Sequence, residues 1–193
     1  MFLPVKKTII PPPDQEFHEI PSVRAKEAGK PHIGKPAKVQ SEKQIRHLHR
    51  FQCAKEYGRE VVADEKRSAL YSAVVVRWKK KKKKHIGVYQ LAIMDYMHPP
   101  DIQGAEFGDL PGSTHGTIIV TAEDIFLPPR VTVSIVLADG SLAESGEAQR
   151  HHPWDQYQYV VFHPDLVHTG TTIRVSARDN AGNVTETEFR ITE

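Results

Sequence analysis

From Gly116 onward apolar and polar residues alternate. Val131, Val133, Ile135 and Leu137 fall on one side of one segment, and Ile173, Val175 and Ala177 on one side of another. A period of two is what a half-buried β-strand imposes. The segments GTIIVTAED, RVTVSIVLADG, SLAESGEA, YQYVVF, TTIRVSARD and VTETEFRIT are short. Between them stand turn signals, ADG at 138–140 and DNAGN at 179–183, whose residues tolerate positive φ. Six or seven such strands predict a compact sandwich.

Ahead of Pro100 the period is helical. Ser41 offers an N-cap, and Ile45, Leu48, Phe51, Ala54, Gly58 and Val61 recur at helix spacing through SEKQIRHLHRFQCAKEYGREVVA. Gly58 costs about 1 kcal/mol against alanine inside a helix, which marks it as a candidate close contact. Asp64 can cap a second helix to about Arg77, with Leu70, Ala73 and Val74 on one face. The β-branched Val74-Val75-Val76 is expected to fray its end. HIGVYQLAIMDYM predicts a third helix with Val88, Leu91, Ala92 and Tyr96 facing inward, stopped by Pro99 and Pro100. Three short helices bury little core, so this unit is expected to lean on the second half. Residues 1–40 carry seven prolines and read as extended or loosely ordered, with Val5–Ile10 and Phe17–Ile20 as apolar patches able to dock on a neighbour. The expected organisation is α+β: an extended segment 1–40, a small helical bundle 41–100, a linker 101–115 and a sandwich 116–193.

The segment TTIRVSARDNAGNVTETEF resembles the last two strands and connecting turn of bacterial immunoglobulin-like domains, and VTAEDIFLPPRVTVSIVLADG resembles their earlier hairpin-like region. The resemblance covers about the last 80 residues and implies an immunoglobulin-like fold without a particular activity. The whole arrangement, with AKEYGREVVADEKRSALY and LAIMDYMHPPDI ahead of that domain, is similar to a group of uncharacterised bacterial proteins. In that group the equivalent of the lysine run looks like a short interhelical connection. The likeness implies an organisation, not a reaction.

A net charge of +2 hides an asymmetry. Residues 1–100 hold 21 basic against 10 acidic residues, a net +11, whereas residues 101–193 hold five arginines, no lysine and 14 acids, a net −9. Such halves can attract each other, pack head to tail, or bring a polyanion to the basic side. Six consecutive lysines, Lys79 to Lys84, stand in WKKKKKKHIG. The favoured reading is a solvated loop or an extra turn or two of helix, because like charges repel and resist burial. As a polyanion site, Lys79, Lys80, Lys81, Lys82, Lys83 and Lys84 would neutralise phosphates. Arg77 would take another phosphate, and Trp78 would stack on a base or, in the favoured reading, cover the helical core. The single cysteine, Cys53, excludes an internal disulfide. No run of 18 apolar residues predicts a membrane-spanning helix, and MFLPVKKTII is not a secretory signal, so the expected location is cytoplasmic.

No catalytic constellation emerges. The histidines show no HExxH or Cys–His zinc spacing, and Ser113-Thr114-His115 lacks a separate acid. Glu56 and Glu60 share a helix face and could hold an ion or do acid–base work; with Lys55 and Arg59 beside them, an ordinary charged surface is an equal reading. Asp124, Asp179, Asn180 and Asp155 could gather around Ca2+ at one end of the sandwich; the favoured reading makes Asp179 and Asn180 turn-shaping residues. No metal site, cofactor or catalytic residue is therefore assigned. Trp154, Tyr157 and Tyr159 are candidates for contact with a protein, with core packing as the favoured alternative. The leading expectation is a nonenzymatic interaction or structural protein that binds a protein partner or assembles with itself. Behind it stand a nonspecific nucleic-acid accessory protein using the polylysine segment, and last a small enzyme whose inter-domain cleft gathers Glu56, Glu60, His98 or His115.

Overall fold

The structure, a computed structural model, describes residues 2–12, 41–82, 86–108, 116–151 and 155–191. Three helices precede a sandwich of two antiparallel sheets. Strand β1 (Phe2–Ile10) comes first, then α1 (Glu42–Ala63), α2 (Glu65–Lys82) and α3 (Val88–Met97). There follow β2 (Asp101–Gly108), β3 (Gly116–Glu123), β4 (Arg130–Val136), β5 (Leu142–Glu147), β6 (Gln149–His151), β7 (Gln156–Val161), β8 (Thr172–Arg178) and β9 (Val184–Ile191). One sheet has the order β1-β9-β8-β4-β5, the other β2-β3-β7-β6.

The alternation seen in the sequence is the alternation of burial. Val131, Val133 and Ile135 of β4 and Ile173, Val175 and Ala177 of β8 meet Ile118 and Val120 of β3 and Val161 of β7, each no more than 1% exposed. Full burial of one such side chain is worth about 1.5–3 kcal/mol, so this facing set dominates the stability of the sandwich. Gly140 and Gly182 carry φ of +86° and +92° in the two turns that the sequence marks. β-branched and aliphatic residues refuse that conformation, whereas glycine adopts it freely.

The helices start where their caps place them. Ser41 Oγ accepts from the Gln44 N–H at 3.3 Å while Gln44 Oε1 accepts from the Ser41 N–H at 2.8 Å, a reciprocal capping box. Asp64 Oδ1 accepts from the N–H groups of Lys66 and Arg67, opening α2. The valine run does not fray α2: Val74 is buried in the helical core and the helix continues to Lys82. Tertiary burial outweighs a few tenths of a kcal/mol of propensity per residue. At Gly58 the α1 backbone approaches α3 so closely that an added Cβ would lie 3.0 Å from the Tyr89 ring.

The helical unit does lean on the sandwich. Phe126, from the loop after β3, sits in the same cluster as Val61, Tyr71, Val74, Leu91 and Ala92, with its ring 5.5 Å from that of Trp78. Ala181 from the β8–β9 turn packs with Ala54 and Tyr96. Two expectations change. Phe2–Ile10, read only as extended or loosely ordered, pairs antiparallel with β9 along its length. A proline inside it is tolerated because β1 is an edge strand and the register shifts between Pro4 and Lys6. Asp101–Gly108, placed in a linker, is an edge strand paired with β3. Its two glycines weaken the strand signal in the sequence.

Candidate functional site

The β8–β9 turn is where the helices meet the sandwich. Asp179, just after β8, accepts from the Asn183 N–H at 2.7 Å and from Asn183 Nδ2 at 2.6 Å, which closes the turn over Gly182. Asn183 is fully buried and turns its amide outward to the helices. Its Nδ2 also lies within hydrogen-bond reach of the carbonyls of Asp95 and Tyr96, at 3.3 and 3.2 Å, at the end of α3. Its Oδ1 accepts from Arg50 of α1 at 3.2 Å. Tyr57 of α1 donates to the Asn180 carbonyl at 3.0 Å and lies 2.9 Å from the Tyr71 hydroxyl, and Tyr71 of α2 donates to Asp95 Oδ2. One five-residue turn thereby fastens α1 and α3 directly and α2 through the contact of Tyr57 with Tyr71.

Three carboxylates converge at this seam. Asp95 is 0% exposed on α3, Asp124 stands at the end of β3, and Asp179 is 7% exposed. Each offers an oxygen within 4.8 Å of the others. Asp124 Oδ1 accepts from the Phe126 N–H at 3.0 Å, so the loop that plugs the helical core also aims this carboxylate. Two oxygens, Asp95 Oδ1 and Asp124 Oδ2, are buried and have no hydrogen-bond partner among the described residues.

The electrostatics follow from burial. Loss of water pushes the Asp95 carboxyl up to about 7, with the Tyr71 hydrogen bond opposing and the charges of Asp124 and Asp179 adding. Burial pushes Asp124 up to about 6, opposed by the Phe126 N–H and raised further by Asp179. Asp179 is raised as well, by burial against the N–H groups of its own turn. Burial raises Tyr57 to about 12, and Tyr71 is raised by burial and by Asp95, so both remain neutral donors. Such a site can hold protons, or it can hold a positive ion.

A second feature lies at one end of the sandwich. A depression of about 800 Å3 is lined by Arg130, Arg150 and Arg178, with Pro128, Pro129 and Tyr157 among its walls. These are three of the five arginines in a half that carries 14 acids. Arg130 and Arg178 are direct cross-strand partners on β4 and β8. Like charges placed opposite each other are unfavourable. Glu147 lies 3.4 Å from Arg130 and Asp155 lies 3.0 Å from Arg150, whereas Arg178 has no ion-pair partner among the described residues.

The residues singled out in the sequence fare unevenly. Arg77 and Lys79 are exposed on the last turns of α2, and Trp78 is half-buried against Phe126, so its ring belongs to the helical core. Lys80, Lys81 and Lys82 continue the helix backbone; Lys83 and Lys84 lie outside the described residues. Tyr157 and Tyr159 are 2% and 4% exposed and pack in the sandwich core, and Tyr157 also lines the depression at the sandwich end. The strand alternates, and it is Val160 and then Phe162, 75% exposed, that face outward. Trp154 and His115 lie outside the described residues. Asp124 and Asp179 do meet, but Asp155 pairs with Arg150 instead of joining them. Asp95, absent from the group weighed in the sequence, stands with Asp124 and Asp179 instead. Glu56 and Glu60 are engaged by Gln52 and Arg67.

Compared with models of known protein families, with curated proteins and with solved structures, the chain matches none. No helix among the described residues is long and apolar enough to cross a membrane.

Proposed function

We propose that the chain is a nonenzymatic protein-binding module, an immunoglobulin-like sandwich capped by helices, that takes an acidic segment of a partner protein at its arginine-lined end. The immunoglobulin-like reading is supported by strand order. With β2, β3, β7 and β6 on one sheet and β9, β8, β4 and β5 on the other, the connections follow the order of that fold, and β1 adds a strand to one edge. The observation that carries the binding reading is Arg178, set opposite Arg130 on the next strand and without a carboxylate of its own among the described residues. A carboxylate arriving there relieves the repulsion and can be held by the planar guanidinium fork.

The surroundings favour a protein over a nucleic acid. Glu147 and Asp155 stand beside the arginines, and the half they belong to is net −9, which opposes a continuous phosphate backbone. A single acidic side chain or short acidic segment meets no such barrier.

Fluorescence anisotropy of a labelled Asp/Glu-rich hexapeptide against the full chain tests this, with a single-stranded oligonucleotide alongside. The peptide is expected to bind in a salt-dependent way and to lose at least about tenfold with Arg178→Ala, the scale of one charge-assisted hydrogen bond. Equal binding by wild type and Arg178→Ala would sink the proposal. Oligonucleotide binding that disappears when Lys79–Lys82 become glutamine, with no peptide binding, would put the polylysine segment in its place.

A further inference from the structure

We propose that Asp95, Asp124 and Asp179 bind one hard divalent cation, Ca2+, which joins the helical unit to the sandwich. The donor set is oxygen only and carries three negative charges, the chemistry of a hard cation and not of zinc or copper. The three oxygens lie within 4.8 Å of one another, so one cation with Ca–O distances of about 2.3–2.6 Å can reach all three. Calcium tolerates irregular oxygen shells, whereas magnesium demands stricter octahedral placement.

The second line of support is the pair of oxygens without partners. Asp95 is 0% exposed, yet among the described residues its Oδ1 accepts no hydrogen bond, and neither does the buried Asp124 Oδ2. An unsatisfied buried acceptor is costly, and a carboxylate more so. A proton answers one carboxyl at a time, whereas one cation answers all three. Hydrogen bonds already orient the three carboxylates: Asp95 Oδ2 accepts from Tyr71, Asp124 Oδ1 from the Phe126 N–H, and both Asp179 oxygens from Asn183. Ligands held by a ring of outer hydrogen bonds are pre-organised for a metal. Entry is available from the sandwich end, because Asp179 and Asn180 also line the open depression there. Water from that side can complete the six to eight oxygens that calcium takes.

The geometry has a consequence for the molecule. Asp95 belongs to the last helix, Asp124 to the loop that plugs the helical core, and Asp179 to the turn that fastens the helices. A cation among them ties three otherwise separate segments, so binding energy becomes docking energy.

The test uses the full chain stripped with EDTA. Calorimetric titration with CaCl2 is expected to show one site per chain. TbCl3, an oxygen-seeking ion of calcium's size, is expected to give luminescence sensitised by Tyr57 and Tyr71 and to be displaced by CaCl2. Calcium at 100 times its dissociation constant should raise the unfolding temperature by about 5–10 °C. Asp124→Asn preserves the oxygen that accepts from the Phe126 N–H, Asp179→Asn preserves one of the two oxygens that accept from Asn183, and each should weaken calcium at least tenfold. Circular dichroism and gel filtration establish that the variants are folded. The proposal is overturned if wild type binds none of Ca2+, Mg2+ and Mn2+, or if both folded variants bind as tightly as wild type. Should neither variant fold, the wild-type protein decides: an unfolding temperature that is the same in EDTA and in calcium overturns the proposal. Arg178 is not among the three ligands, and calcium binding is read on the wild-type chain without the peptide, so the two proposals can fail separately.

Discussion

The two cores of this molecule are built on different physics. The sandwich core is dry: Ile118, Val133, Ile135, Ile173 and Val175 meet across two sheets with no charge among them. The seam between helices and sandwich is wet in composition although it is buried. It holds three aspartates, two tyrosine hydroxyls, an asparagine amide and a guanidinium. Apolar burial is non-directional and indifferent to pH. A polar network is directional, loses heavily when one member is missing, and responds to protons and ions. The sandwich is therefore expected to supply robust stability, and the seam to supply a helix position that conditions can alter.

The largest effects should come from removing one anchor of each kind. Ile173→Ala empties a fully buried site in the dry core and is expected to cost about 3–4 kcal/mol in urea unfolding. Asn183→Ala is expected to cost about as much, although it removes only an amide. It removes side-chain hydrogen bonds from Arg50, Asp179 and the carbonyls at the end of α3 together, leaving Arg50 only the Tyr96 carbonyl and Asp179 only backbone N–H groups. Hydrogen exchange should separate the two: Asn183→Ala should deprotect α1 and α3 more than β4 and β8, whereas Ile173→Ala should deprotect the sandwich. Equal deprotection everywhere would mean that the two regions unfold as one and that the contrast has no thermodynamic content.

This contrast also explains what can be read from the sequence. Dry cores write their period directly, and β3, β4, β7, β8 and β9 follow the alternation beginning at Gly116, whereas the edge strands β5 and β6 do not. Helix starts are legible through Ser41 and Asp64, because a cap is a local signal. The seam is legible in part. Asp124 and Asp179 group together, since both sit at turns at one end of the sandwich. Asp95 escapes a reading of the third helix through its apolar residues alone. Yet Asp95 lies four residues after Leu91 and three after Ala92, on the very stripe those residues define. An acid on a buried stripe is the available signal. The edge strands β1 and β2 escape for a different reason: edge strands pack on one side only, so proline and glycine in them cost little and the pattern is weak. The cross-strand pair of Arg130 and Arg178 depends on register, which alternation does not specify.

A smaller effect, of a few kcal/mol, should appear on changing pH in EDTA. Asp95 and Asp124 are held near 7 and 6 in the folded chain, against an ordinary value of 3.8. Between those values the folded state holds protons that the unfolded chain has released. Stability from this source is full below about pH 4 and is lost as pH rises through 6 and 7. Each tenfold difference in proton affinity between the folded and unfolded chain is worth about 1.4 kcal/mol. Asp179, Tyr57, Tyr71, His98 and Arg67 face the same seam and set its field. Metal-free protein should thus unfold at lower denaturant at pH 7.5 than at pH 5. Asp95→Asn should flatten the profile and stabilise the chain at pH 7.5. Calcium in excess should reverse the trend, since it competes with the protons. A metal-free profile that is flat, or that rises from pH 5 to 7.5, would contradict the account of the seam as a site of buried, repelling acids.

The smallest effect tests how rigid the helical side is. Gly58→Ala gains about 1 kcal/mol of helix propensity. It also sets a methyl 3.0 Å from two carbons of the Tyr89 ring and 3.2 Å from Ile93 Cγ1. Overpacking of a tight contact costs about 1–3 kcal/mol. The two oppose each other, and the expected balance is a net loss of about 1 kcal/mol, read from the urea midpoint at constant slope. Tyr89 is only half-buried, so its ring has some room to turn. A net gain would show that α1 and α3 move apart at little cost, and that the polar seam, not the packing between helices, fixes where they stand.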